Sequence, residues 1–300
     1  MPNVDIVRQA QSAGAAILAF NIPYLPMMRP VIEAVAAQDS VAMVSVARLE
    51  WRKFESRSPQ AVRDEYERWK QPEHVWLHLD HIPIIDEDGL QVDALPIIQE
   101  AIALGYRSVM VDGSRLALPE NIRTTRPVVE LAHTAGIPCE AELGAILGHE
   151  AGPLPPYEEL FASGRGFTDP EEARRFVAQT GCDWLSVAVG NIHGAISGVQ
   201  KDQKKVEARL NLERIEHIAR ITGVPLVLHG GSGIHQEFVR EAIRRGIAKV
   251  NIGTEIRQAY ETILRETGSE TSAQKAVYER TTWLIRDFYG LAGLRKVIKI

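Results

Sequence analysis

Short runs rich in β-branched residues alternate along the chain with amphipathic stretches of helical period. The runs are Ala16–Ile22, Val41–Val46, Val75–Asp80, Ser108–Asp112, Ile137–Leu143, Trp184–Val189, Pro225–His229 and Ala248–Ile252. Between them Ile122, Val129 and Ala132 recur at helical spacing, as do Leu212, Ile215 and Ala219. Thr168-Asp169-Pro170 marks a helix start, with Asp169 as the cap and Pro170 at the first helical position. Gly105, Gly136, Gly181, Gly223 and Gly246 stand where helices end just before the next strand. Such alternation predicts a parallel sheet, and eight repeats point to a closed α/β barrel of the (β/α)8, or TIM, type. The other arrangement it allows is an open doubly wound sheet. That choice lacks the G-x-G-x-x-G turn after the first strand. No solenoid repeat or linker divides the sequence, so residues 1–300 read as one barrel domain with a C-terminal helical extension. The Gly- and Pro-rich stretch Leu147–Gly166 reads as a long mobile loop. Trp283, Ile285, Phe288 and Tyr289 in the extension are expected to cover the barrel floor or a partner.

Composition narrows the class. With 45% hydrophobic and 24% charged residues the chain is an ordinary globular one. At 300 residues it can bury about three quarters of its unfolded surface, so folding requires neither disulfide nor metal. The net charge of −5, from 39 acidic and 34 basic residues mixed along the chain, argues against a nucleic-acid partner. No apolar run approaches the roughly 20 residues of a membrane span. The segment Ala15–Phe20, behind Asp5 and Arg8, is too short for a secretory core. Cys139 and Cys182 read as buried thiols, so a cytoplasmic location is expected.

In a barrel, the C-terminal ends of the strands build the active site. Those ends carry His78-Leu79-Asp80-His81, Asp112-Gly113-Ser114, Glu140-Ala141-Glu142, Gly190-Asn191-Ile192-His193-Gly194, His229-Gly230-Gly231-Ser232-Gly233 and Asn251-Ile252-Gly253-Thr254. His81, His193 and His229 thus converge from three strands, and three imidazoles with an open position form a catalytic zinc arrangement. A single histidine there would more simply be a packing residue; three at equivalent ends favour a metal. Strand alternation opposes His78 to His81 and Asp80 to His81, so Asp80 and His81 share the site only where the strand breaks. His74, His133 and His217 read as structural, while His149 and His235 fall in loops able to line the mouth. The glycine-rich turn after the seventh strand and Asn251–Thr254 after the eighth occupy the customary phosphate position of such barrels.

Taken together, these motifs resemble the class II, metal-dependent fructose-bisphosphate/tagatose-bisphosphate aldolase family. Phe167-Thr168-Asp169-Pro170-Glu171-Glu172-Ala173 and Lys249-Val250-Asn251-Ile252-Gly253-Thr254-Glu255 add to the match, which runs in order from about residue 75 to 260. The resemblance implies catalytic Zn2+ on His81, His193 and His229, with Asp112 and Glu142 at a second or alternative position for a divalent or monovalent cation. It makes Asp80 the acid/base at the C4 hydroxyl and Glu150 the loop carboxylate that moves the C3 proton. Gly194, Gly230, Gly231, Ser232, Asn251, Ile252, Gly253 and Thr254 would hold a dihydroxyacetone phosphate portion. The implied reaction is retro-aldol cleavage of a ketose phosphate to dihydroxyacetone phosphate and an aldehyde, in a homodimer or homotetramer. Without a Schiff-base lysine, the electrons left on C3 need a Lewis acid at the C2 oxygen. No lysine lies at a matched strand mouth, and Lys249 is expected to pack or pair outside the barrel. Asp112 can equally make a turn, Ser114 a helix cap, and Thr254 both a cap and a phosphate contact.

The N-terminal third departs from the family. Pro23-Tyr24-Leu25-Pro26 follows Ala19-Phe20-Asn21-Ile22, and Ser45-Val46-Ala47-Arg48-Leu49-Glu50-Trp51 replaces the usual small-residue pattern. His149 replaces an acidic or amide residue beside Glu150, and the acidic insertion Ile84–Gly89 follows the third strand. An aldolase of the same mechanism with a different aldehyde half is therefore one alternative, with Arg48 either at a distal anion or at the surface. A non-catalytic sugar-phosphate-binding barrel is another. A metal-dependent barrel hydrolase is a third, and it would need an H-x-H on the first strand, which is absent.

Overall fold

A computed structural model describes residues 5–144, 157–191, 209–231 and 233–299. Eight parallel strands close in chain order: β1 (Ile17–Asn21), β2 (Ala42–Ala47), β3 (Val75–Pro83), β4 (Ser108–Asp112), β5 (Cys139–Leu143), β6 (Trp184–Val187), β7 (Leu226–Leu228) and β8 (Ile247–Ile252). The last returns to the first through Ile17↔Lys249 and Ala19↔Asn251. The predicted TIM barrel is thus the observed fold. Around it run α1 (Ile6–Ser12), α2 (Met28–Ala37), α3 (Arg48–Lys53), α4 (Pro59–Trp69), α5 (Ala94–Ala103) and α6 (Leu118–Thr134). They continue as α7 (Tyr157–Ser163), α8 (Pro170–Thr180), α9 (Leu212–Thr222), α10 (Gln236–Arg244), α11 (Thr254–Thr267) and α12 (Glu270–Trp283). None of the described helices is long and apolar enough to cross a membrane.

Local chemistry accounts for the helix limits. Asp169 caps α8 by accepting the Glu172 N–H at 3.0 Å, as read from the sequence, and Gly181 and Gly223 end α8 and α9 in the left-handed conformation. Two cap expectations fail. Ala117, not Ser114, precedes α6, and Thr254 is the first residue of α11 with Gly253 in the cap position. Part of the stretch expected to be a mobile loop is the helix α7, where Tyr157–Ser163 are long enough for two turns; residues 147–156 lie outside the described set.

Period-two alternation turns His78 and Asp80 of β3, Glu140 and Glu142 of β5, Trp184 and Ser186 of β6, and Lys249 and Asn251 of β8 into the barrel, where their side chains meet one another. The floor is closed by α1. Asp5 caps that helix through the Val7 and Arg8 N–H groups and also accepts the Trp184 indole N–H at 3.1 Å. In the C-terminal extension α12 lies on the flank against α2 and α11, while the tail beyond it reaches the floor side, where Gly293 N–H donates to the Gln38 carbonyl and Gln9 Nε2 to the Lys299 carbonyl. Leu284 and Ile285 are buried there, and Trp283 remains 36% exposed.

Candidate active site

Asp80 and His81 reach the same mouth because β3 breaks. Leu79 pairs with Val109 but Ile82 with Val111, so Asp80 and His81 together face one residue of β4. This extra residue is a β-bulge, and His81 sits in it at φ 35°, a conformation rare for a residue with a side chain. His78, one alternation below, stays in the interior with its Nδ1 2.8 Å from Ser108 Oγ. Asp80 is gripped on both oxygens: Asn251 Nδ2 donates to Oδ1 at 2.8 Å and Asn21 Nδ2 to Oδ2 at 2.9 Å. Burial by itself would raise this carboxyl, but the charges of His81 and Lys249 hold it well below the usual carboxylate range.

His229, at the end of β7, faces His81 with Nδ1 2.5 Å from His81 Nε2. Each ring is fixed from its other nitrogen. His229 Nε2 donates to Glu140 Oε1 at 2.8 Å, and His81 Nδ1 lies 3.5 Å from Asp112 Oδ2. Glu140 in turn accepts Lys249 Nζ at 2.7 Å, and Lys249 also donates to Asn251 Oδ1 at 2.7 Å. Lys249 therefore points inward and is fully buried, contrary to its expected outward pairing, because it stands two residues before the inward-facing Asn251. Burial opposes the Glu140 charge, but Lys249 and then His229 pull its pKa down to about 2.

Two donor groups span the mouth. Asp80, His81 and His229 place ligand atoms within 4.8 Å of one another, and so do His81, Asp112 and Glu142. Asp112 also makes the expected turn, its Oδ1 accepting the Ser114 N–H at 2.9 Å. Glu142 accepts Ser186 Oγ at 3.0 Å; burial and the Asp112 charge raise it to about 8. For His81, burial works downward, but Asp80 and Asp112 overcome it and raise the imidazole to about 10. Imidazole nitrogens held by carboxylates on their far side, with further carboxylates in reach, are donors that fit a divalent transition metal.

The ends of β7 and β8 carry tight glycine turns and the start of a helix. Gly230 adopts φ 64°, and a Cβ on the buried Gly231 would come within 3.3 Å of Val250. Asn251, Ile252, Gly253 and Thr254 lead into α11, whose first N–H groups have no acceptor within the helix. Glu255 in that first turn would oppose an anion, but Arg280 engages its carboxylate. Four residues assigned to the site from sequence, Glu150, His193, Gly194 and Ser232, lie outside the described residues, as does His149.

The family profile described as Fructose-bisphosphate aldolase class-II matches residues 2–290. The chain belongs to the class II fructose-bisphosphate aldolase family. It is 33% identical to a fructose-bisphosphate aldolase of Streptococcus pyogenes over 276 residues, covering 91% of this chain and 85% of that protein. It is 32% identical to a probable fructose-bisphosphate aldolase of Bacillus subtilis over 268 residues, 88% of this chain and 84% of the relative. Among solved structures, the YdjI aldolase of Escherichia coli K12 superposes with a TM-score of 0.76 at 31% identity, covering 96% of this chain and 97% of that one.

The protein is thus an aldolase, a lyase, and four further buried residues of this aldolase hold the side chains and strand ends of the candidate site. Glu140 shares its interior face with Glu142 by simple alternation, a signal present in the sequence. Asn21, at the end of β1, stands in Ala19-Phe20-Asn21-Ile22, a segment of weaker similarity to the family that gives it no role. Asn191 donates to the His229 carbonyl at 2.9 Å and accepts the Val189 N–H, tying the ends of β6 and β7. Glu50 accepts the Ala47 N–H at 2.8 Å and is raised to about 8 by burial, with the Asp80 charge acting in the same direction.

Proposed function

We propose that this aldolase reversibly cleaves the C3–C4 bond of a ketose phosphate of the fructose- or tagatose-1,6-bisphosphate type, with dihydroxyacetone phosphate as one product. The observation that carries this reading is Asp80, ionised and clamped between Asn21 and Asn251, beside two imidazoles that face each other. His81 and His229, with His193, would hold Zn2+, and Asp112 and Glu142 a second or alternative cation position. When bound, a divalent cation supplies the positive charge that a developing enediolate requires.

The remaining work belongs to the chain. Asp80 accepts the C4 hydroxyl proton as the C3–C4 bond breaks; C4 becomes the aldehyde carbonyl and the bonding electrons stay with the C2–C3 unit. The clamp leaves the Asp80 carboxylate little freedom to rotate, which keeps its basic lone pair on the substrate. Glu150 would return a proton to C3. Gly230, Gly231, Ser232, Gly194 and the segment Asn251–Thr254 would bind the phosphate, remote from the broken bond, so that its binding energy positions the reacting end. A second reading concerns the aldehyde: Arg48 Nη1 pairs with Asp86 Oδ2 at 3.0 Å, which favours a partner other than glyceraldehyde 3-phosphate.

The test is hydrogen exchange at C3 of dihydroxyacetone phosphate in heavy water with zinc-loaded protein, followed by condensation with a panel of aldehydes. Exchange abolished by a chelator and by His193→Ala supports the reading. A protein that binds zinc yet neither exchanges nor condenses is the non-catalytic barrel instead.

A further inference from the structure

Glu50 is a carboxyl that the reaction above leaves without a role. It lies on α3, just past the end of β2, and is 8% exposed. Its Oε2 is 3.5 Å from Asn21 Nδ2, the same nitrogen that donates to Asp80 Oδ2. Asp80 therefore looks two ways. Its Oδ1 faces Asn251, whose Nδ2 is 3.4 Å from His229 Nδ1, and its Oδ2 faces Asn21 and Glu50. With the C4 hydroxyl at Asp80, the half retained with C3 lies on the His229 side, and the carbons beyond C4 lie on the Glu50 side.

Three of the cations at that end are already paired with carboxylates. Arg48 is committed to Asp86, with side-chain exposures of 18% and 5%. Asp86 is itself fixed by the Asp88 and Leu90 N–H groups, and Arg115 donates to the Asp86 carbonyl. Lys53 pairs with Asp88 at 2.9 Å, and Arg257 with Glu261 at 2.8 Å. Glu50 forms no ion pair among the described residues.

We propose that Glu50 determines which aldehyde the enzyme takes: with Asn21 it selects an uncharged, hydroxylated aldehyde and turns away one bearing a terminal phosphate. The inference rests on the dihydroxyacetone phosphate reading above. A phosphate dianion beyond C4 would leave water for a corner that holds the Asp80 charge and in which Arg48, Lys53 and Arg257 are each already paired with a carboxylate. A hydroxyl meets a carboxyl that can accept from it, or donate to it when protonated, and an amide that can donate.

The test compares kcat/KM for condensation of dihydroxyacetone phosphate with D-glyceraldehyde and with D-glyceraldehyde 3-phosphate, using zinc-loaded protein and following C3 hydrogen exchange in parallel. Wild-type protein should favour glyceraldehyde at least tenfold. Glu50→Gln, whose side-chain oxygen can still accept the Ala47 N–H, should narrow that ratio at least threefold when both proteins are assayed at the same alkaline pH. A wild-type preference for the phosphorylated aldehyde, or parity between the two, overturns the proposal whatever the variant does. So does a folded Glu50→Gln with an unchanged ratio. Absence of exchange together with absence of condensation overturns the aldolase reading itself, and this inference falls with it.

Discussion

His229 and Lys249 meet on one carboxylate: Glu140 accepts His229 Nε2 at 2.8 Å on one oxygen and Lys249 Nζ at 2.7 Å on the other. All three are buried. The lysine keeps Glu140 ionised, and the ionised Glu140 holds the His229 ring with its Nδ1 lone pair toward His81.

Glu140→Gln should therefore act twice. Loss of the anion frees the His229 ring, and zinc affinity should fall by about 10–100-fold. Lys249 is left as an unpaired buried cation, at a cost of about 3–5 kcal/mol. Zinc titration and urea unfolding measure the two effects separately. A variant with wild-type zinc affinity would show that the hydrogen bond to His229 does not set ligand geometry.

Metal binding should be steeply pH-dependent. His81, raised to about 10, and Glu142, raised to about 8, are both protonated at neutral pH and must release protons to act as ligands. Apparent zinc affinity should rise with pH between 6 and 8, with net proton release seen by calorimetry in buffers of different ionisation enthalpy. The stability consequences have opposite signs. The His81 contribution is complete below its ordinary value of 6.5 and is lost as pH rises through about 10. The Glu140 contribution is present above 4.5 and is lost as pH falls through about 2.

The bulge separates the need for a ligand from the need for a backbone shape. At φ 35°, His81 is strained, and the bulge that holds it there delivers both Asp80 and His81 to the mouth. His81→Gly should fold and lose zinc, since glycine accepts this conformation freely. His81→Val should lose zinc and also be less stable than the glycine variant by about 1–3 kcal/mol, as a β-branched residue resists positive φ. Thermal unfolding of the two proteins decides it, and equal stabilities would argue that the bulge relaxes.

Much of this arrangement was legible in the residue pattern. Strand ends gave the barrel and placed Asp80, His81, Asp112, Glu142 and His229 at one mouth. Alternation requires a break in the third strand if Asp80 and His81 are to share the mouth, but its form as a bulge was not legible, because nothing in Leu77-His78-Leu79-Asp80-His81 marks an inserted residue: no glycine stands at the positive φ. Lys249 points inward although a strand lysine suggests a solvent-facing position, because its spacing from Asn251 puts both on one face. Glu50 was out of reach for another reason. Its approach to Asn21 depends on where α3 starts after β2, and that start has no side-chain cap to announce it.

The barrel floor can be tested independently of the site. Asp5 joins the first turn of α1 to Trp184 inside the barrel. Asp5→Ala removes a helix cap and leaves a buried indole N–H without its acceptor, so stability should fall by about 1–3 kcal/mol. Zinc affinity should be unchanged, because the substitution is at the opposite end of the barrel. Denaturant unfolding with a parallel zinc titration checks both statements.

Asp80→Ala tests the division of labour in the proposed reaction. The carboxylate is assigned to the C4 hydroxyl proton alone, whereas the C3 proton is assigned to Glu150. Removing Asp80 should lower cleavage and condensation by about 10²–10⁴-fold, the usual contribution of a positioned base. Exchange at C3 of dihydroxyacetone phosphate should persist within about tenfold of wild type, since that step involves no C4 group. The asparagine clamp adds a control: Asn21→Ala frees only the Oδ2 side of the carboxylate, so its cleavage should fall less than in Asp80→Ala. If exchange collapses along with cleavage in Asp80→Ala, the same carboxylate serves both protons, and the assignment of the C3 step to a separate group is wrong.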